Sequence, residues 1–289
     1  MAAQVAARAF PSMRYDVTVR LMVDSPYRVK ADGKFRLSKI DPADTGAFRT
    51  KDEVGDSIAD LSRRLAHVQD LLYAEGKRAL LVVLQAMDTG GKDGTIKSVF
   101  ESIDPQGCQV TSFKAPSQEE LAHDYLWRIH AHTPVKGMIG IFNRSHYESV
   151  LVERVRNLVP EPVWRRRYGH VNAFERMLVD EGTTILKFFL HISKDEQKRR
   201  LEARLKNPEK NWKFDAGDLA ERKHWNEYQR AYEDALRETS TDHAPWFVVP
   251  AEKKWFRNHV VSDVIVRTLE EMNPKYPPPA AGLEKLVVE

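Results

Sequence analysis

The stretch Arg78-Ala-Leu-Leu-Val-Val-Leu-Gln-Ala-Met-Asp-Thr-Gly-Gly-Lys-Asp-Gly-Thr-Ile-Lys97 decides how the rest of the chain is read. Its first part, RALLVVLQ, is an apolar run of the kind that forms a strand buried on both faces. The glycines at 90, 91 and 94 then break the run, and Thr95-Ile-Lys-Ser-Val-Phe100 suits a helix. Strand, glycine loop and helix in that order aim backbone amides and the helix dipole at one point, which is an anion site. The predicted phosphate-binding segment is Gly90, Gly91, Lys92, Asp93, Gly94 and Thr95, with Lys92 as the point charge. The match to G-x-x-x-x-G-K-[ST] is imperfect, because Ala86 stands at the first glycine and Asp93 at the hydroxyl position. The methyl group of Ala86 is expected to narrow the mouth of the loop.

Asp88 sharpens this reading. A carboxylate inside an anion-attracting loop repels phosphate unless it binds a cation or takes up a proton, so Asp88 points to Mg²⁺ or to general-base chemistry. An ordinary strand-to-helix turn with a solvated lysine is the plainer alternative, and it has no use for that carboxylate.

Outward from this stretch, short apolar runs recur at 109–113, 137–142, 184–192 and 246–249, separated by longer polar, amphipathic segments. Ser117–Glu120, Ser193–Glu196 and Asp218–Glu221 each place a short oxygen acceptor three residues before a carboxylate, a helix-start signal. Alternating strands and helices argue for a parallel sheet covered on both faces. Residues 52–75 carry Ile58, Leu61, Leu65, Val68, Leu71 and Leu72 near helical spacing and read as a helical collar on that sheet. Residues 160–182 and 208–240 are helical but unusually basic or aromatic, and both are candidates for a lid.

Composition limits the function. The 289 residues are 42% hydrophobic, and Lys+Arg 45 against Asp+Glu 42 gives no global field to attract nucleic acid or an anionic membrane. The single cysteine, Cys108, cannot form an intramolecular disulfide and fits a reducing cytosol. No apolar run approaches the roughly 20 residues that span a bilayer. The start, MAAQVAARAFPSMR, has Arg8 and Arg14 and no acid before Asp16, as transit peptides do, with a frayed terminus as the plainer reading. Tyr276-Pro-Pro-Pro-Ala-Ala-Gly282 reads as a tail.

Three further groups bear on chemistry. The run GMIGIF ends in Asn143-Arg144-Ser145-His146-Tyr147, at a strand's carboxyl end where α/β sheets collect ligand groups. Arg144 there can neutralise a transferring phosphoryl group, while Asn143 is either a neutral oxygen donor or a turn residue. Lys114-Ala115-Pro116 follows the second run and offers a lysine to an acceptor phosphate, with a simple turn as the alternative. Arg165, Arg166 and Arg167 are consecutive, and Arg200 and Arg204 share a helix face where they can grip phosphate together. His123, Trp127 and His130 match helical spacing and read as buried or capping side chains.

AMDTGGKDGTIK, SFKAPSQEELAHDYLWRIH and FNRSHYESVLVERV together resemble the family 2 polyphosphate kinases, over about Tyr15 to Met272. The resemblance implies a P-loop kinase-like three-layer α/β/α fold: a five-stranded parallel sheet, an N-terminal extension (1–77), a core (78–272) with a lid near 160–182, and a tail (273–289), all in one domain. Asp88, Gly91 and Lys92 fall on the family's G-x-D-x-x-G-K pattern, whereas Ala86 replaces its first glycine and Asn143 the aspartate of its aspartate-arginine pair. These departures, with FKAP and NRSHY, resemble the subgroup that accepts nucleoside mono- and diphosphates.

The implied activity is transfer of the terminal phosphoryl group of inorganic polyphosphate to AMP or ADP, with guanine nucleotides as alternative acceptors. Asp88, Lys92, Arg144 and Arg204 are then the catalytic residues. Lys114, Ala115, Pro116, Asn143 and Arg144 face the acceptor, and Arg165–Arg167, Arg200 and Arg204 guide the polymer. Asp88 and Asn143 hold Mg²⁺, with Mn²⁺ as the alternative. A cytoplasmic homo-oligomer, dimer or tetramer, is also implied. Two competing functions remain: an ATP-dependent nucleotide or small-molecule kinase, excluded if polyphosphate alone phosphorylates ADP, and a noncatalytic polyanion- or RNA-binding protein. The last predicts that Lys92→Ala keeps steeply salt-dependent binding.

Overall fold

The computed structural model describes residues 23–283, Leu286 and Val288; the basic N-terminal stretch with Arg8 and Arg14 lies outside them. Five strands, β1 (Ala79–Gln85), β2 (Cys108–Ser112), β3 (Ile139–Asn143), β4 (Thr183–His191) and β5 (Trp246–Pro250), form one sheet in the order β2-β3-β1-β4-β5. Every pairing is parallel, with Leu84 opposite both Asn143 and Phe188. The expected runs therefore became the strands, shifted by a residue or two at their ends.

Among the described residues there are ten α-helices: α1 (Gly55–Glu75), α2 (Lys92–Val99), α3 (Gln118–Ala122), α4 (Trp127–His130), α5 (Val152–Val155), α6 (Glu161–Asp180), α7 (Lys194–Lys206), α8 (Ala216–Lys223), α9 (Trp225–Thr239) and α10 (Lys254–Met272). All residues of β1 and β4 are buried, which requires cover on both faces. α1, α2 and α10 pack together in one group, and α6 and α9 pack together in another. The collar α1 thus lies mainly on α10. At the open edge, Arg28 bridges Phe247 in antiparallel sense, Val29 donates its amide to the Trp246 carbonyl at 2.8 Å and Val248 donates to the Tyr27 carbonyl at 2.8 Å, so part of the β5 edge is paired.

Two expectations are corrected by this packing. Residues 160–182 cover the sheet rather than the loop: α6 buries Trp164, Tyr168, Val171, Phe174 and Leu178 and lies on β4, with Arg165 and Arg166 exposed and Arg167 turned in to Glu153. Asp218 does not start a helix either, because Asp215 caps α8 by accepting from the Gly217 amide at 2.8 Å, leaving Asp218 inside the first turn. Ser117 and Ser193 do cap their helices, and only Ser117 completes the reciprocal box. His123 and Trp127 are exposed and stack on one another with ring centroids 4.1 Å apart, rather than being buried.

The end of β4 carries a titratable core residue. Burial pushes the His191 imidazole down to about 4, and a hydrogen bond to the backbone of Ile40 offsets only part of that. The folded pKa lies below the unfolded 6.5, so the folded state binds fewer protons between the two values, and stability present above pH 6.5 is lost as pH falls toward 4. We expect wild type to lose roughly 3 kcal/mol across that window on this account. Urea unfolding at pH 7.5 and 4.5 should show a smaller loss for His191→Gln; an equal loss would assign the acid sensitivity elsewhere.

Candidate active site

The loop between β1 and α2 is fixed by close contacts. Gly91 caps α2 with φ of +107°, a backbone state that a side chain resists. The Gly90 amide donates to the Met87 carbonyl at 2.9 Å, and a Cβ on Gly90 would fall 2.5 Å from the Ala86 methyl carbon. Ala86 is 2% exposed. Its methyl group therefore fills the underside of the turn instead of narrowing the mouth, and it obliges residue 90 to be glycine. Lys92 folds back over the loop and donates to the Ala86 carbonyl at 3.1 Å. Burial, then the nearby Arg144 guanidinium, pull its pKa down to about 8 against the opposing pull of Asp88, Glu148 and Asp93.

Opposite the loop, the end of β3 presents Arg144. Its amide donates to the Leu84 carbonyl at 3.1 Å, and its φ of +63° lies in the left-handed region. This turns the side chain back toward β1, where it donates to Asp88 and, at 3.3 Å, to Glu148. Glu148, with Asp88, holds the guanidinium above its ordinary pKa despite burial. Asn143 donates from Nδ2 to Asp93 at 2.9 Å, so the aspartate that replaces the expected hydroxyl residue is tied to the neighbouring strand.

These groups border a cavity of about 600 Å³. Its floor is the loop, one wall is Ser112, Phe113, Lys114 and Asn143, and the other is formed from α7, α10 and residues near α8. In that second wall Arg204 donates to Asp218 at 3.3 Å. Burial, then the field of Asp88, raise the Asp218 carboxyl to about 6.

A glycine loop with an aspartate on it, facing an arginine from the adjacent strand across a basic cavity, is the arrangement of a phosphate-handling enzyme. Residues 49–277 match the family described as polyphosphate kinase 2. The chain belongs to the polyphosphate kinase 2 family. It is 59% identical over 264 residues to an AMP/ADP-polyphosphate phosphotransferase of Meiothermus ruber, covering 91% of this chain and 99% of the relative. It is 45% identical to an ADP-polyphosphate phosphotransferase of Rhodopseudomonas palustris, over 83% of this chain and 86% of that one. A crystal structure of polyphosphate kinase 2 from Arthrobacter aurescens superimposes with a TM-score of 0.86 at 44% identity, covering 90% of this chain and 93% of the other. The protein is thus a phosphotransferase of this family.

Within this polyphosphate kinase 2 chain, most of the expected residues come together: Asp88, Gly90 to Gly94, Lys114, Asn143, Arg144, Arg200 and Arg204 all border the cavity. Others do not. Thr95 is fully buried and turns its hydroxyl to the Gly91 carbonyl at 3.1 Å, inside the helix start. Ala115 and Pro116 are exposed just beyond the cavity wall. Arg165 pairs with Glu161, Arg166 is exposed, and Arg167 donates to Glu153 at 2.6 Å and to the Ser149 carbonyl at 2.8 Å, all away from the cavity.

Arg200 has a different part from the expected one. It donates to the Thr89 and Gly90 carbonyls at 3.0 and 3.2 Å, to the Ala251 carbonyl at 2.6 Å, and to Glu196 at 2.6 Å. Its fork is occupied as a strut that fixes the loop to α7 and β5, so it grips backbone rather than an anion. Sequence reasoning missed Glu148, Asp218, Lys254 and Arg257. Glu148 had a readable signal, since it lies four residues beyond Arg144 in the same motif; the others meet the cavity only through tertiary packing.

Proposed function

We infer that the protein transfers the terminal phosphoryl group of inorganic polyphosphate to AMP and ADP, making ADP and ATP. The observation that carries this reading is a cavity with cations on both walls and the carboxylates Asp88 and Asp93 between them, which suits two polyanions meeting end to end. The acceptor lies against Lys114, Asn143 and Arg144, and the donor against Lys92, Arg204 and the basic second wall. An oxygen of the acceptor's terminal phosphate approaches the terminal phosphorus of the chain in line, and Lys92 and Arg144 neutralise the charge that spreads over the transferring group. Adenine nucleotides are the acceptors proposed, with guanine nucleotides as the alternative. The enzyme acts in the cytoplasm as a homo-oligomer, a dimer or tetramer, and has no nucleic-acid or membrane partner in this reading.

The donor set fits magnesium. Asp88 and Asp93 offer hard carboxylate oxygens beside the phosphate seat, and such an ion needs only one or two protein carboxylates when phosphates complete its shell. Among the described residues no three His, Cys, Asp or Glu side chains converge on a metal site of their own. When bound, the ion screens the phosphate oxygens from one another, and manganese can do the same. Asn143, expected as a direct ligand, orients Asp93 instead, since its amide nitrogen faces that carboxylate. Residues 207–223 border the second wall through Lys210 and Asp218, and they replace 160–182 as the proposed cover that excludes water.

Purified protein given ADP, Mg²⁺ and polyphosphate as sole donor should form ATP; no ATP from ADP and no ADP from AMP would reject the reading. Asn143→Asp tests the metal site. It sets a second carboxylate against Asp93, so the variant should melt lower than wild type without Mg²⁺ and show a larger upward shift when Mg²⁺ is added. Equal shifts in the two proteins would remove Asp93 from the metal site.

A further inference from the structure

Arg257 is the buried cation whose charge the protein leaves uncompensated. It stands on the first turn of α10 and is 2% exposed. Its Nε and Nη2 donate to Asn258 Oδ1 at 3.0 and 2.7 Å, a neutral acceptor that is itself held by Ser98 on α2 at 2.7 Å. No carboxylate lies within ion-pair distance of it among the described residues, and its nearest charged influence is another cation, Arg200. Nη1 has no hydrogen-bond acceptor among the described residues and presses on the phosphate loop: a Cβ on Gly91 would lie 2.1 Å from it. The partly buried arginines of the site are compensated, Arg200 by Glu196 and Arg144 by Asp88 and Glu148.

A guanidinium removed from water without an anion is unfavourable, and burial together with Arg200 already draws its pKa down to about 10. The missing partner has to be an anion that arrives from the cavity, which Arg257 borders together with Lys254 and Lys210. α10 is 19 residues long and its first amides have no side-chain cap, which adds positive potential at the same place.

We propose that Arg257, with Lys254 and the first turn of α10, seats the part of the donor chain behind the phosphoryl group being transferred. The proposal rests on the polyphosphate reading given above. It makes Arg257 a donor-binding residue, whose Nη1 receives a phosphate of the chain that lies behind the one being transferred. In the transfer, the bond from the terminal phosphorus to its bridging oxygen breaks as the acceptor oxygen bonds to that phosphorus. The bridging oxygen keeps the electron pair, and the shortened chain remains on Arg257 until it leaves.

The test uses the full chain and two variants, Arg257→Gln and Arg257→Lys. Removing a charge-assisted hydrogen bond should raise the KM for polyphosphate about tenfold or more in Arg257→Gln and leave the KM for ADP within about twofold. The lysine variant, which keeps the charge but not the fork, should fall between. Melting curves with tripolyphosphate, without nucleotide or metal, provide a separate reading: wild type shifts upward, and Arg257→Gln loses most of the shift. Without any anion, Arg257→Gln should melt no lower than wild type, because an uncompensated charge has been removed.

An unchanged polyphosphate KM with an unchanged tripolyphosphate shift overturns the proposal. So does a large drop in melting temperature without anion, which would make Arg257 structural. If Arg257→Gln does not fold, Arg257→Lys decides by the same two measurements. Failure of the functional reading is distinct, since wild type would then make no ATP from ADP whatever the melting curves show.

Discussion

Lys92→Met is expected to lower kcat by about 10³ or more while the protein stays folded. The lysine is the one cation carried by the loop itself, and it lies beside Asp88 and Arg144 where charge spreads in the transition state. Its pKa near 8 has two consequences. The free enzyme needs the ammonium, so kcat/KM should fall on the alkaline side through that value, and this limb should vanish in the variant's residual activity. The folded pKa also lies below the ordinary 10.5, so the folded state binds fewer protons between 8 and 10.5 and wild-type stability rises with pH across that window. At pH 7 the charged lysine is therefore a stability cost, and Lys92→Met should melt at or above the wild-type temperature. Lost turnover with retained stability separates chemistry from folding; retained turnover within tenfold would remove Lys92 from catalysis.

Lys187→Met should destabilise the protein by about 3–5 kcal/mol. Lys187 sits in the middle of β4, fully buried, and donates to Glu175 on α6 at 2.6 Å, to the Tyr147 hydroxyl at 2.9 Å and to the Thr239 carbonyl at 2.7 Å. Glu175 also accepts from Tyr147 at 2.9 Å and contacts the His146 ring at 3.2 Å. Removing the lysine leaves a carboxylate in the core with no cation, which is the expensive half of breaking such a pair. Lys187→Met combined with Glu175→Leu should recover part of the loss, though Tyr147 and the Thr239 carbonyl would still lack partners. Urea titrations of the two single variants and the double give the coupling directly. A single-variant cost below about 1 kcal/mol would mean that the cluster contributes nothing to stability. His146 and Tyr147 follow Arg144 closely, so this cluster also pins the segment that presents the arginine to Asp88.

The strands were legible because strands covered on both faces cannot hide their composition: RALLVVLQ and TILKFFLHI have little choice but to be buried. The phosphate loop was legible because glycines, lysine and aspartate there serve backbone approach and charge, which sequence displays directly. The lid was misplaced for a physical reason. A helix that covers a sheet and a helix that covers a cavity both show aromatics on one side and arginines on the other, and WRRRY in α6 does not say which surface receives the aromatics. Arg200 was misread because its acceptors, carbonyls of Thr89, Gly90 and Ala251, come from distant parts of the chain. Asp215, which sequence reasoning passed over, also lies three residues before a carboxylate, and only the backbone geometry shows that it and not Asp218 caps α8. Lys187 was the clearest overlooked sign, a cation inside an apolar strand, which folding permits only with a buried anion nearby.

The sheet order has an implication for altering the enzyme. β1 sits centrally, with β2 and β3 carrying Lys114, Asn143 and Arg144 on one flank, and β4 and β5 leading to Arg204, Lys254 and Arg257 on the other. Under the proposed assignment the nucleotide is read by one half of the sheet and the inorganic chain by the other, and the two meet at the loop and Arg144. Changes far out on one flank can then be combined with changes far out on the other, their effects multiplying, which makes the protein a divisible scaffold for new donor and acceptor pairs.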